Sequence, residues 1–339
     1  MAGRVLLQET ASRFPYWPTK VPPERLLRFY LTRTATRVAA PATLIDLLAV
    51  VRSWRPDLIV HDPAEFAAPI AAAWAGTPSI NHSWGPLLPT EEYKLAAAAV
   101  APLWTRLGVE PRTPGGMFDH LYLDICPPSL QTPEISDIDP VVGLRPVPVH
   151  LRPGRHPERG GSLPAWVDDL PSRPVVYATL GTVFNTPGLL ATLAEGLSAL
   201  DVNVVLAIGL NGDPALFEHH SAKVHVARFV PQSQILPRCD VVVCHGGAGT
   251  LLAAMDAGVP VLSLPIGLDQ FHNARCCAAA GAGRWLRPSQ VAGASVRREI
   301  RVLLDDPTYR RRAGIVQAEI RAMPGPHQAV AHLERLADD

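Results

Sequence analysis

The stretch that decides the fold covers residues 239–273 and reads CDVVVCHGGAGTLLAAMDAGVPVLSLPIGLDQFHN. Three consecutive valines at 241–243 predict a parallel strand that is buried on both faces. The segment HGGAGT at 245–250 predicts a glycine-rich turn, and residues 251–257 predict a helix that ends at Gly258. A strand, a turn and a helix in this order are typical of an α/β protein.

The chemistry predicted for this turn is anion capture. Glycines let a ligand approach the backbone closely, and the amides at a helix start point outward at the positive end of the helix dipole. His245 adds a ring N–H and Thr250 a hydroxyl, and Asp269-Gln270 follows the next predicted strand, over residues 259–264. We interpret the turn as a diphosphate site, with a strand–helix turn that binds no ligand as the alternative.

The composition describes an ordinary globular protein of two domains. The chain has 339 residues, of which 47% are hydrophobic and 18% charged, and its formal net charge is zero. This balance gives no support to a nucleic-acid partner or to an anionic membrane surface. We find no signal-peptide pattern at the N-terminus and no apolar run of membrane-spanning length, so the sequence predicts a cytoplasmic protein.

No metal site is predicted. The five cysteines are odd in number and lack C-x-x-C spacing, which favours reduced thiols over a zinc site or a disulfide framework. Asp137 and Asp139 match a D-x-D metal pattern, but a solvated loop is favoured there. His219, His220 and His225 fit no common metal-binding spacing and are interpreted as ordinary polar residues.

The domain organisation follows from alternating strand and helix patterns. We predict an N-terminal domain over residues 1–145, a Pro/Gly-rich connection over 146–172 and a C-terminal domain over 173–322. A last helix, within 323–339, is expected to pack back on the N-terminal domain. The second half supplies six strands and the first only three or four, which predicts an α/β protein with doubly wound parallel sheets. Because a βα unit takes about 30 residues, the first half is short by one or two units at its N-terminus.

Two motifs carry a resemblance to a known family. They are VPQSQILPRCDVVVCHGG at 230–247 and PIGLDQ at 265–270. From about residue 41 to the end, the chain resembles the family 1 glycosyltransferases of the GT-B fold, and most of all the actinobacterial branch that attaches sugars to polyketides, macrolides and enediynes. The resemblance implies two Rossmann-like, doubly wound parallel-sheet domains facing a cleft, with the N-terminal one truncated.

The family binds a nucleoside diphosphate sugar in its C-terminal domain, and this implies a donor site here. The implied residues are, for the diphosphate, His245, Gly247, Ala248, Gly249 and Thr250, with Gly181 and Thr182 on its other side; for the sugar hydroxyls, Asp269 and Gln270; and for the base, Val230, Pro231 and Gln232. The acceptor would lie against the N-terminal domain, near residues 61–66 and 81–85.

The resemblance also implies a reaction. It is inverting, metal-independent transfer of a (deoxy)sugar from a dTDP- or UDP-sugar to a hydroxyl of a small hydrophobic natural product, such as a polyketide or macrolide. A base takes the hydroxyl proton as the oxygen attacks the anomeric carbon. Contacts in the donor site stabilise the charge that builds on the departing nucleoside diphosphate. The nucleotide sugar is a co-substrate, and no cofactor is implied.

The catalytic base departs from the family pattern. The family keeps its catalytic His in a Gly-His turn after the first N-domain strand, and no Gly-His occurs in residues 1–60. Asp62 matches the acid that orients this His in part of the family, although His61-Asp62 is equally well interpreted as a polar loop cap. We therefore expect a truncated or mis-started copy that binds the donor and is impaired in catalysis, unless His61 or His82 has replaced the missing base.

Two further functions stay open. A non-catalytic nucleotide-sugar-binding auxiliary protein of a partner transferase would also explain the absent Gly-His, and a homodimer is the other expected assembly. An NAD-dependent oxidoreductase would use residues 247–249 as its G-x-G and Asp269 as its ribose-binding acid. The third glycine position of that fingerprint holds Leu252, which counts against this function.

Overall fold

The computed structural model describes residues 20–147, 162–181, 186–217 and 223–338. The described chain divides into two compact units. The N-terminal unit consists of Pro23–Pro146, Gly267–Asp269 and Ala322–Asp339. The C-terminal unit contains Val147–Ile266 and Gln270–Arg321. Thr182, His219, His220 and most of the Pro/Gly-rich connection lie outside the described residues.

The N-terminal unit contains a four-stranded parallel sheet in the order β1-β2-β3-β4. Its strands are β1 (Ile59–His61), β2 (Ser79–His82), β3 (Leu121–Asp124) and β4 (Val141–Gly143). Its helices are α1 (Leu26–Phe29), which continues through a π-helical stretch (Tyr30–Ala39) into α2 (Ala40–Trp54), then α3 (Ala67–Ala75), α4 (Thr90–Arg106) and, at the C-terminal end of the chain, α11 (Gln328–Asp338).

The C-terminal unit contains a six-stranded parallel sheet in the order β10-β9-β8-β5-β6-β7. Its strands are β5 (Val175–Thr179), β6 (Asn203–Ala207), β7 (Val224–Ala227), β8 (Val241–Cys244), β9 (Val261–Ser263) and β10 (Gly283–Trp285). Its helices are α5 (Pro187–Ser198), α6 (Gln232–Ile235), α7 (Ala248–Asp256), α8 (Gln270–Ala279), α9 (Gly293–Asp305) and α10 (Pro307–Ala322).

Strands β6, β8 and β9 of the larger sheet are buried along their whole length, as expected for a parallel sheet covered by helices on both faces. The strand order places β5 beside β8, so their carboxyl ends are neighbours at one edge. Ligands of doubly wound sheets bind outside that edge. The predicted fold class is thereby confirmed for both sheets, which have four and six parallel strands.

The smaller sheet is packed on both faces. One face meets a hydrophobic core that includes Phe66, Tyr93 and Trp104. On the other face, Ala329 of α11 is buried against Ile80 and its neighbours in the sheet, and Leu333 and Leu336 pack beside it. The last helix of the chain therefore contributes core residues to the N-terminal unit.

Strand β1 lies at the edge of its sheet among the described residues, and Val60 on this strand is 49% exposed. Ile45 and Trp54 on α2 are also largely exposed apolar residues. A domain short by one or two βα units would have such an edge, and the shortfall itself stays a prediction.

Two elements of the N-terminal unit were missed by sequence analysis. The helical segment before Pro41 has Leu26, Leu27 and Leu31 buried, yet a Thr/Arg-rich stretch masks its periodicity. Strand β4 has three residues in a Pro-rich stretch, and it is defined by its pairing with β3 and not by its own pattern.

The helical run Pro23–Trp54 differs from the expectation of no membrane-length segment. It has 32 residues and contains an 18-residue window of mean hydropathy 1.4, so by length and composition it could cross a membrane. Core helices of soluble proteins and signal sequences pass the same test, and this one helix is weak support for a span.

Candidate functional site

The turn after β8 presents backbone amides at the start of α7. Gly246 has a φ of 83°, a left-handed conformation that favours glycine. Gly247 is the N-cap residue of α7 and provides no side-chain cap for its first turn. The first intrahelical bond runs from the Leu251 amide to the Gly247 carbonyl, at 3.1 Å. The amides before Leu251 therefore point out of the helix and can bind an anion.

The imidazole of His245 packs closely against two glycines of this site. A Cβ atom on Gly247 would come 2.5 Å from Nε2 of His245, and one on Gly181 would come 2.6 Å from its Cε1. Gly181 also has a φ of 74°, so a side chain there would be strained as well as crowded. Burial lowers the pKa of His245 to about 4, which keeps the ring neutral at neutral pH. A neutral imidazole carries one N–H, which a phosphate oxygen could accept.

Side chains of helix α8 form hydrogen bonds with the backbone of the turn and of the loop that follows β9. The side-chain amide of Asn273 donates to the Gly246 carbonyl at 3.0 Å. Gln270 is buried, and its Oε1 accepts the Ile266 amide at 2.8 Å. The observed bond shows that Gln270 stabilises its own loop. Its predicted role in binding sugar hydroxyls stays a prediction. Leu268 in the same loop has a φ of 54°, which non-glycine residues rarely adopt and which sequence analysis did not predict.

Two of the residues predicted to bind the nucleotide base, Val230 and Gln232, differ in their burial and contacts. The Val230 side chain is buried. Gln232, at the start of α6, donates from Nε2 to Oγ1 of Thr250 at 3.3 Å. The structure thus brings Gln232 and Thr250 together, and it also brings Gly181 and Gly247 close to the ring of His245. Asp269 is partly exposed and belongs to the N-terminal unit.

The N-terminal unit holds the candidate bases at the carboxyl ends of two neighbouring strands. His61 is the last residue of β1 and His82 the last residue of β2. The Nδ1 atom of each ring lies within hydrogen-bonding distance of the carbonyl oxygen of the next residue, at 3.0 Å for His61 and 2.9 Å for His82. Because a carbonyl can only accept, Nδ1 carries the proton in both rings and Nε2 holds a lone pair. His61 is buried and its pKa is lowered by burial, whereas His82 is exposed.

Two carboxylates, those of Asp62 and Glu65, lie in the segment that follows β1. Asp62 is exposed, and its Oδ1 accepts the Ala64 amide at 2.7 Å. Glu65 accepts the Ala67 amide at 2.7 Å, next to the start of α3, and burial followed by the charge of Asp62 raises its pKa. The Asx-type turn at Asp62 is the loop cap that sequence analysis weighed against a catalytic role. One carboxylate can serve both functions, since Asp62 stays accessible.

Sequence analysis missed a buried carboxylate at the end of β3. Asp124 is 5% exposed and accepts the Cys126 amide at 2.9 Å and the Gln131 side-chain amide at 2.8 Å. The Ser83 hydroxyl donates to it at 3.4 Å. Burial raises its pKa. The sequence signal that could have indicated this residue is an Asp at the end of a predicted strand. In the structure, the hydrogen bonds of Asp124 join the loops that follow β2 and β3.

Comparisons with known proteins agree with this architecture. Residues 28–181 match the family model described as Erythromycin biosynthesis protein CIII-like, N-terminal domain, and residues 191–336 match its C-terminal domain. Among curated proteins, the chain is 33% identical to tylactone mycaminosyltransferase of Streptomyces fradiae, over 87% of this chain and 68% of the relative. It is 31% identical to 10-deoxymethynolide desosaminyltransferase of Streptomyces venezuelae, over 86% and 70%.

Solved structures give the same result. Spinosyn rhamnosyltransferase SpnG complexed with thymidine diphosphate superimposes with a TM-score of 0.77 at 27% identity, over 96% of this chain and 84% of that one. The glycosyltransferase VinC in complex with dTDP superimposes with a TM-score of 0.74 at 25% identity, over 94% and 83%. With both domain models and these relatives, the chain belongs to the GT-B fold family of natural-product glycosyltransferases from antibiotic biosynthesis.

Proposed function

We propose that this chain transfers a sugar from a nucleoside diphosphate sugar to a hydroxyl of a small hydrophobic natural product, with inversion and without a metal. The observation that carries the proposal is the turn after β8 in the C-terminal unit, where the α7 amides have no side-chain cap and burial keeps the ring of His245 neutral. These groups would stabilise the negative charge that develops on the departing diphosphate. Neutral donors of this kind supply the stabilisation that a metal gives in other transferases.

Thymidine diphosphate is the favoured leaving group. Two structural relatives are complexed with it, and these relatives share the fold of the whole chain. A polyketide or macrolide aglycone is the favoured acceptor, because the named curated relatives act on tylactone and 10-deoxymethynolide. We infer that the chain works in the cytoplasm, where nucleotide sugars are made.

Asp62 and His82 are our candidates for taking the proton of the acceptor hydroxyl. Both are exposed at the carboxyl ends of adjacent strands, and Nε2 of His82 holds a lone pair. Buried His61 is the poorer base, since its Nε2 is not accessible to an acceptor. Asp62 would act as the base or orient one, in the manner of general base catalysis.

The experiment combines binding with transfer. Calorimetric titration with dTDP, UDP and NAD should show micromolar dTDP binding, weaker UDP binding and no NAD binding. Incubation with a panel of dTDP-sugars and macrolide aglycones in excess EDTA should yield a glycoside, and its proton coupling constants should report inverted anomeric configuration. NAD binding without dTDP binding would overturn the proposal in favour of an oxidoreductase.

A non-catalytic auxiliary protein is the second candidate, favoured by the absent Gly-His motif. It predicts dTDP binding with no transfer by the purified chain, together with restored transfer when a partner transferase is added. Transfer by the purified chain alone would exclude it.

A further inference from the structure

Three polar side chains, those of Tyr177, Gln232 and Thr250, lie next to one another near the glycine-rich turn that follows β8. Tyr177 on β5 is 1% exposed; burial raises the pKa of its hydroxyl, and hydrogen bonding to Gln232 and Thr179 opposes that rise. The other end of Gln232 donates from Nε2 to Oγ1 of Thr250 at 3.3 Å. Gln232 therefore joins a buried tyrosine in the sheet to the first turn of α7.

The direction of the second bond follows from chemistry. An amide –NH₂ can only donate, so Oγ1 of Thr250 is the acceptor. Among the hydrogen bonds of the described residues, this oxygen occurs only as an acceptor. The hydroxyl proton of Thr250 can then be donated to another group. Thr250 is the third residue of α7, beside the outward-pointing amides that form the anion site.

The same bond argues against a base-reading role for Gln232. Nε2 of Gln232 is directed to Oγ1 of Thr250, so this donor already has a partner in the protein. Orientation of a hydroxyl donor before the ligand arrives is the form of preorganisation that stabilises charge most effectively.

We propose that Gln232 is a positioning residue, which holds the Thr250 hydroxyl as a hydrogen-bond donor to the diphosphate of the bound nucleotide, and that Tyr177 holds Gln232 in place. This inference rests on the nucleoside diphosphate site of the proposed function. It assigns Gln232 to the diphosphate and adds Tyr177 to the donor site. Because hydrogen bonds to charged groups are stronger than those between neutral groups, loss of the Thr250 bond should weaken diphosphate binding about 10- to 100-fold.

The test is a double-mutant cycle read by calorimetric titration with dTDP and, separately, with thymidine. Gln232→Met keeps the length of the side chain and removes its donor, and Thr250→Val keeps the shape and removes the hydroxyl. Each should weaken dTDP binding at least 10-fold and leave thymidine binding within 2-fold. The double variant should bind dTDP as weakly as Thr250→Val alone, because Gln232 acts only through that hydroxyl.

Matched controls accompany the cycle. Gln234→Met, on the exposed side of the same helical turn, should leave both affinities unchanged, and Thr250→Ser should retain dTDP binding because it keeps a hydroxyl. Tyr177→Phe should weaken dTDP binding by a smaller factor, and it tests the same inference if Gln232→Met does not fold. Additive losses, or equal losses of dTDP and thymidine affinity, would overturn the inference. A wild-type chain that binds no dTDP would instead overturn the proposed function.

Discussion

Gly181, two residues after β5, lies against the imidazole of His245, so that a methyl group on its Cα would come 2.6 Å from Cε1 of the ring. Gly247 makes a similarly close approach, since a methyl group on its Cα would come 2.5 Å from Nε2 of the ring. The two glycines thus leave a slot that the ring fills. The ring is therefore closely packed against both glycines.

The first prediction concerns this slot. Gly247→Ala should weaken dTDP binding at least 10-fold and lower the free energy of unfolding by about 1–3 kcal/mol, the usual range for an overpacked site. Calorimetric titration and urea unfolding measure the two effects. Gly249→Ala is the matched control, because a Cβ there has no atom within 4 Å. Equal effects of the two substitutions would contradict the slot.

The second prediction concerns pH. The pKa of His245 is lowered from 6.5 to about 4 by burial, so the unfolded chain binds more protons than the folded chain between these values. Stability contributed by the neutral ring is therefore complete above pH 6.5 and falls as the pH falls toward 4. The slope from this residue is about 1.4 kcal/mol per pH unit. Urea unfolding of the wild type and of His245→Asn between pH 8 and pH 5 measures it.

The free energies of unfolding of the wild type and of His245→Asn should differ by a constant amount between pH 7 and 8, where the His245 ring is neutral in both the folded and the unfolded state. Below pH 6.5 the gap should change steadily, because only the wild type carries the titrating ring. A gap that stays constant down to pH 5 would show that the pKa of His245 is not lowered by folding.

The third prediction separates the candidate bases. His82→Gln should lower kcat at least 100-fold and leave dTDP affinity within 2-fold, because general base catalysis contributes about 10²–10⁴-fold. His61→Gln should change kcat far less, since the ring is buried, and should act mainly on stability. Asp62→Asn should also lower kcat. A transfer assay with saturating dTDP-sugar gives these values, and an unchanged kcat in both His82→Gln and Asp62→Asn would remove them from catalysis.

The fourth prediction concerns the C-terminal helix. Leu333 packs against the core cluster around Ile80 and Leu121, so Leu333→Asp should lower the free energy of unfolding by about 2–3 kcal/mol. Val330 is 48% exposed on the same helix, and Val330→Asp should change it by less than about 0.5 kcal/mol. Thermal unfolding followed by circular dichroism compares the two. Similar melting temperatures for both variants would show that α11 does not stabilise the N-terminal unit.

Several elements were predictable because their patterns are local. The valine run of β8, the glycine turn and the helix stop at Gly258 need only neighbouring residues, and the structure has a strand, a turn and a helix there. The six strands of the C-terminal unit were predicted for the same reason. Strand β4 was missed because pairing with β3 defines it, and the helical segment before Pro41 was missed because its buried leucines are spaced among polar residues.

The sequence by itself determined the fold class and the position of the glycine-rich turn, because hydrophobic periodicity and glycine placement act over short distances along the chain. Only the tertiary structure decided which groups accompany that turn. The bond between Gln232 and Thr250 joins residues 18 positions apart, and the approach of Gly181 to His245 joins β5 to β8. Burial decided the rest, since it distinguishes His61 from His82 and keeps His245 neutral, and burial depends on the packing of the whole unit.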